Sequence, residues 1–203
     1  VIESFMAGFK DGRAGKMFEP ATSAPDPIHP TFKFKGIRNG AYCGTTKPAM
    51  LQYSKVSNDF NTVGNRRAFT ASEVYFLKAE AALRGWAGAG DAKTDYETGV
   101  RLSFADWGAA GVDDYLADST SKPLSYVDPA DARNNFTQPS TIPIAWKNAD
   151  TKELKFETIL TQKYLNTYTN TLDAWVDFRR PGYPKFPHFP TYVSGPDWGI
   201  MPK

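Results

Sequence analysis

Apolar positions recur at helical spacing in two neighbouring stretches near the middle of the chain. Over 70–85, Val74, Leu77 and Ala81 form a stripe, with Phe76 and Leu83 widening it. Thr70 and Glu73 are spaced as a capping box, each side chain positioned to satisfy a backbone N–H that the first turn leaves orphaned. Gly85 suits the left-handed position just past a helix end. Asp91 then caps a second segment in which Tyr96, Val100, Phe104 and Trp107 share one face, and Gly108 closes it. The loop between them, Trp86 to Gly90, is short and rich in glycine, so the two helices are expected to pack antiparallel. Ala79, Ala81 and Ala82 are small enough to let the partner helix approach closely.

The same capping logic recurs at Asp150-Thr151-Lys152-Glu153, which opens a helix through about Tyr168. Asn170-Thr171 then joins it to a second helical piece, with Thr171 as the expected cap and Pro181-Gly182 as the stop. On that piece Trp175 and Phe178 share a face flanked by Leu172 and Val176, the pattern of a buried stripe. Trp175→Ala is therefore expected to cost roughly 3–5 kcal/mol. Asp173 and Asp177 lie four apart on one side. Two carboxylates on a face invite an acid/base reading, but Arg179 and Arg180 in the last turn favour an ion-pair network.

Elsewhere the pattern is weaker. Val1–Gly15 reads as a short helix or turn with Phe5, Met6 and Phe9 apolar, and Val112–Leu116 as a helical turn. Five prolines between Met17 and Pro48 forbid long helices there. Thr31–Lys35 alternates like a short edge strand, Asn39-Gly40 is a turn signal, and Met50–Val63 reads as extended or irregular. Ser119–Ser140 is polar and broken by proline, the signature of a surface excursion, and Ile142–Trp146 is a short apolar run.

These elements describe a mainly α protein of tetratricopeptide-like helical hairpins with long irregular loops. The division is a loop-rich segment at 1–69 with short strands or turns, a helical domain at 70–187 and an irregular tail at 188–203. A single hairpin cannot bury both its faces, so its neighbours must be the helices of 150–180 or sequence outside this chain.

Composition narrows the function classes. The chain has 203 residues, enough for one sizeable core, and a net charge of +2 with acids and bases interspersed. No basic stripe supports a nucleic-acid partner. Cys43 is the only cysteine, so no internal disulfide can form and no CxxC metal motif exists. No apolar run is long enough for a membrane-spanning helix. The start at Val1 has neither a basic region nor an apolar segment and reads as an internal cut, which suggests a piece of a larger protein.

Catalytic patterns are missing. His29 and His188 both lie in proline-rich loops, without ligand spacing. There is no nucleophile elbow and no phosphate loop, and no cofactor is expected. Asp113-Asp114 and Asp128 with Asp131 could bind calcium, but isolated acidic pairs more often cap helices. What remains is binding by aromatic side chains outside the regular helices. Tyr42, Trp86, Trp146, Tyr192 and Trp198 are the candidates, since flat aromatic faces can stack on the apolar C–H faces of sugar rings. Trp107, Trp175 and Phe178 sit on helical stripes and read as core.

Two blocks of sequence resemble the SusD/RagB family of nutrient-binding lipoproteins. The first is Ala79-Glu80-Ala81-Ala82, Arg84-Gly85-Trp86, Tyr96-Glu97-Thr98-Gly99-Val100-Arg101 and Ser103-Phe104. The second is Gln162-Lys163-Tyr164, Asp173-Ala174-Trp175-Val176-Asp177-Phe178-Arg179-Arg180 and Gly182-Tyr183-Pro184, with Tyr164 and Pro181 departing from the usual Trp and Thr. The blocks stand in the family's order, and the resemblance covers about residues 66–187. It implies the C-terminal portion of a surface-exposed outer-membrane protein of Bacteroidetes-type bacteria, tethered by a lipid anchor that this chain lacks. It also implies non-catalytic capture of a glycan, starch among the possibilities, and delivery to a TonB-dependent SusC-like transporter. Peptide capture on the same scaffold, a carboxylate glycosidase using Asp173 and Asp177, and a plain protein-interaction repeat are the alternatives.

Overall fold

Thr70 caps the helix that follows it as expected, its hydroxyl accepting the Glu73 N–H at 3.3 Å. The structure is a computed structural model that describes residues 1–22, 31–42, 52–58, 68–168 and 170–188. Within them the helices are α1 (Ile2–Gly8), α2 (Ala14–Met17), α3 (Ala71–Arg84), α4 (Ala92–Trp107), α5 (Val112–Ala117), α6 (Lys152–Asn166) and α7 (Thr171–Arg179). Single 3-10 turns occur at Ala132–Asn134 and Trp146–Asn148. Among the described residues the only strand-like pairings are isolated bridges, Phe18 to Val56 and Tyr126 to Phe136. The expected edge strand at Thr31–Lys35 does not form: Thr31 is in a turn and the rest joins no sheet.

α3 and α4 form the antiparallel hairpin. Gly85 and Gly108 end them at φ +78° and +62°, the left-handed region where a Cβ is costly. Asp91 caps α4 by accepting from the Thr94 N–H at 2.8 Å and its hydroxyl at 2.7 Å. The helices approach closely at Gly99, where a Cβ would lie 2.8 Å from the Phe76 ring. Ser72 Oγ donates to the Gly99 carbonyl at 2.8 Å in the same place.

The buried face of α3 differs from the expected one. Val74 and Leu77 are exposed, while Ser72, Glu73, Phe76, Ala79 and Glu80 are buried. The helix is rotated because its polar members find partners: Glu73 meets Lys163 at 3.2 Å, and Glu80 meets two arginines. A hydrophobicity count cannot register a carboxylate buried by pairing. On α4 the expected stripe holds, with Tyr96, Val100, Phe104 and Trp107 all buried.

α6 packs against α3 and carries an unusually polar buried face. Thr151 caps it by accepting the Leu154 N–H at 3.2 Å. Gln162 accepts from buried Arg13 at 2.9 Å and donates to the Tyr115 hydroxyl at 2.7 Å. Arg13 in turn holds Asp11 through two nitrogens, at 2.9 and 2.6 Å, and donates to Ser103 at 2.7 Å, with its guanidinium 4.8 Å from the Phe104 ring centre. This arginine ties α2, α4 and α6 together, since a fully buried charge persists only when its donors are matched. α1 completes the apolar core with Phe5, Met6 and Phe9.

The segment 119–140 is not a loose surface excursion. Asp118 accepts from both the backbone and the hydroxyls of Thr120 and Ser121, which together hold its carboxyl well below the ordinary range against the opposing effect of burial. Buried Asp128 accepts from the Tyr53 and Tyr126 hydroxyls and from the N–H groups of Ala130 and Asp131. Asp131 caps the turn at Ala132–Asn134, and Asp113 pairs with Arg101 at 2.6 Å. Among the described residues no cluster of acids and histidines has a metal-holding arrangement.

Candidate functional site

Three helix ends converge beside the α3–α4 turn: the last turns of α3 and α7 and the first turn of α6. They enclose a cleft of about 1060 Å³. Leu77 and Ala81 on α3 and Phe156 on α6 supply its apolar surface, and Trp86 stands at the turn that closes α3. The turn itself is closed by backbone hydrogen bonds, from Gly85 N–H to the Ala82 carbonyl at 3.0 Å and from Trp86 N–H to Ala81 at 3.1 Å. The indole is nevertheless 66% exposed, because nothing on the hairpin reaches over it.

Under the cleft lies a network of charged groups. Glu80 is almost fully buried and accepts from Arg84 Nε at 2.9 Å and Nη2 at 2.7 Å. Arg180, at the end of α7, binds the same carboxylate through both Nη atoms, Nη2 at 2.7 Å. Burial pushes the Glu80 carboxyl up, but the hydrogen bonds from the two arginines outweigh it and hold the group below its ordinary value. Arg180 also lies 3.6 Å from Asp177, which sits 2.7 Å from Lys163. Lys163 closes the chain at Glu73, where burial raises the carboxyl and Lys163 only partly offsets it.

At the rim, Glu153 accepts from the Tyr183 hydroxyl at 2.9 Å. Burial, followed by that bond, pushes the Tyr183 hydroxyl up to about 12, so it stays a donor at neutral pH. The Arg84 guanidinium and the Lys152 ammonium lie 5.1 and 5.7 Å from the Phe156 ring centre.

A second, smaller cavity of about 330 Å³ opens on the far face of α7. It is lined by aromatic rings, with Tyr164, Tyr168, Trp175, Phe178 and Phe186 around Thr167 and Thr171. α7 has no buried residue: Trp175 is 38% exposed, and Leu172 and Val176 are exposed more. The expected buried stripe is therefore absent. α7 is a short helix held at one edge by Asp177 and Arg180, so its apolar residues rim a cavity and face outward. Asn170, and not Thr171, caps it, accepting the Asp173 N–H at 3.5 Å.

The proposed ligand aromatics fall in different settings. Trp86 lines the large cleft. Trp146 is half-buried on the Tyr96 ring, 5.4 Å between centroids, with Lys155 also 5.4 Å from it. Tyr42 lies beneath Arg133, whose guanidinium is 3.4 Å from the ring centre, and its backbone N–H is held by Asn134 at 2.6 Å. Tyr192 and Trp198 lie outside the described residues, as do Cys43 and His29. Asp173 and Asp177 do not converge on open space as a reacting pair. Asp177 belongs to the lysine–arginine network, and Asp173 accepts from the Asn170 side chain.

Sequence reasoning missed Arg13 and the role of Glu80. Arg13 stands between glycine and alanine with no periodic context. Glu80 left one clue, since Arg84 follows it by four residues, the spacing of a helical ion pair.

Residues 1–196 match the SusD-like family model, described as Susd and RagB outer membrane lipoprotein. A chitin-binding SusD homologue from Flavobacterium johnsoniae is 34% identical, with a TM-score of 0.81 over 96% of this chain and 39% of its own. A SusD-like protein from Bacteroides thetaiotaomicron is 38% identical, TM-score 0.80, over 95% of this chain and 40% of its own. A homologue from Bacteroides vulgatus is 32% identical, TM-score 0.82, over 94% of this chain and 38% of its own. The chain thus spans about two fifths of the solved structures it matches. No curated protein matches it. Its helical, tetratricopeptide-like fold and both sequence blocks agree with this match, and the chain belongs to the SusD/RagB family.

Proposed function

We propose that this protein serves in the capture of a glycan at the bacterial outer membrane and passes it to a SusC-like, TonB-dependent transporter, without cleaving it. The observation that carries the reading is the match, along nearly the whole chain, to a homologue described as chitin-binding. The exposed Trp86 ring in the large cleft supports it, because a flat indole beside hydrogen-bonding groups suits a pyranose ring. Surface exposure and a lipid tether follow from the same family reading. The non-catalytic part is supported by Asp173 and Asp177, which are engaged in holding α7.

Isothermal titration against chitotetraose, maltotetraose and a mixture of short peptides tests the reading. Saturable binding to an oligosaccharide, with no new reducing ends released, is expected. Binding to peptides alone would move the protein to the peptide-capturing reading. Release of reducing sugar that stops in Asp177→Asn would make it a hydrolase.

A further inference from the structure

The cleft is crowded with ionised groups, yet its charges cancel. Arg84, Lys152 and Arg180 line it, and so do Glu80, Glu153 and Asp177. For the two arginines the balance centres on one residue. Glu80 touches both arginines, through two nitrogens of each, and lies behind them with almost no surface of its own. Lys163, behind Asp177, is in turn balanced by Glu73 and Asp177.

We infer that Glu80 is a specificity-determining positioning residue that reserves this cleft for uncharged glycans. The inference rests on the cleft being the glycan site. A guanidinium bound on one edge by a carboxylate keeps its remaining N–H groups as donors for sugar hydroxyls. It no longer offers the unbalanced charge that a uronate or sulfate ester would need to offset its desolvation. Both arginines are held by the shared carboxylate, so hydroxyls are met by positioned donors at reduced entropic cost. An anionic sugar would meet Glu80, Glu153 and Asp177 against a single lining cation that Glu80 does not hold, Lys152, which lies over the Phe156 ring. Without Glu80, two adjacent guanidinium groups would become an anion site.

The test compares wild type, Glu80→Gln and Glu80→Asp for binding of chitotetraose and of tetragalacturonate. Salt is raised from about 0.01 M to about 1 M, which shortens the screening length from about 30 Å to about 3 Å. Wild type is expected to bind the neutral sugar with little salt dependence and to bind the uronate weakly. Glu80→Gln is expected to gain about tenfold or more for tetragalacturonate at low salt and to lose the gain at high salt. Glu80→Asp should restore the wild-type preference, which a loss of packing alone would not. If Glu80→Gln fails to fold, Glu153→Gln on the exposed rim removes one negative charge and should shift the preference the same way. Neutral binding by wild type with no anion gain in either variant overturns the inference alone. Tighter binding of the uronate by wild type also overturns it. No binding of either sugar by wild type removes the glycan reading and the inference with it.

Discussion

Arg180 grips Glu80 across one hundred residues of sequence, with Nη2 2.7 Å from Oε2 and Nη1 on the other oxygen. The contact joins the end of α7 to the last turns of α3 and explains why a helix with no buried residue stays in place. Glu80 has its folded value below the ordinary 4.5. Its stabilisation is therefore full above 4.5 and lost as pH falls through the lower, folded value.

Glu80→Gln should lower stability at neutral pH by about 1–3 kcal/mol, the range for hydrogen bonds to charged partners discounted for two half-exposed arginines. Thermal melts near pH 7 and about pH 3 check the linkage. The gap between wild type and mutant should narrow as pH falls below 4.5 toward the lowered folded value of Glu80. A gap that stays constant would remove the ion pair from the account.

Trp175→Ala should cost far less than the 3–5 kcal/mol expected of a buried ring. The indole rims the aromatic cavity, 6.4 Å from Phe178 and 5.6 Å from the Arg179 guanidinium, and much of it meets water. Phe104→Ala, in the core between Arg13 and Tyr115, should carry the full 3–5 kcal/mol. Equal losses in urea unfolding would place Trp175 in the core after all.

Gly99→Val should destabilise by about 1–3 kcal/mol, because its Cβ would press on the Phe76 ring at the α3–α4 contact. The urea midpoint should fall with an unchanged slope. An unshifted midpoint would mean that the hairpin can spread without penalty.

The helices were legible because their signals are local. Thr70 and Asp91 cap where the spacing predicts, Thr151 caps one residue after the Asp150 that the repeated box implies, and Gly85 and Gly108 end their helices in the left-handed region. The rotation of α3 was not legible, because Glu73 and Glu80 are buried only by virtue of Lys163 and Arg180, about a hundred residues away. Trp175 misled for the related reason that an apolar stripe does not say whether anything covers it. The reading of Asp177 with the last-turn arginines held, since Arg180 lies 3.6 Å away. Of the candidate binding aromatics among the described residues, Trp86 lines the large cleft, as exposure on a tight turn is a part of a site that loop position can suggest.

Trp86→Ala tests the glycan cleft most directly. The ring packs on nothing that holds the fold together, so the melting temperature should stay within about 2 °C of wild type, the shift a surface substitution produces. Affinity for the oligosaccharide that wild type binds should fall by about tenfold or more, the loss of one stacking platform. The measurement is a matched pair of thermal melts and calorimetric titrations. Full affinity in a folded Trp86→Ala protein would contradict the account and move the glycan site elsewhere on the molecule.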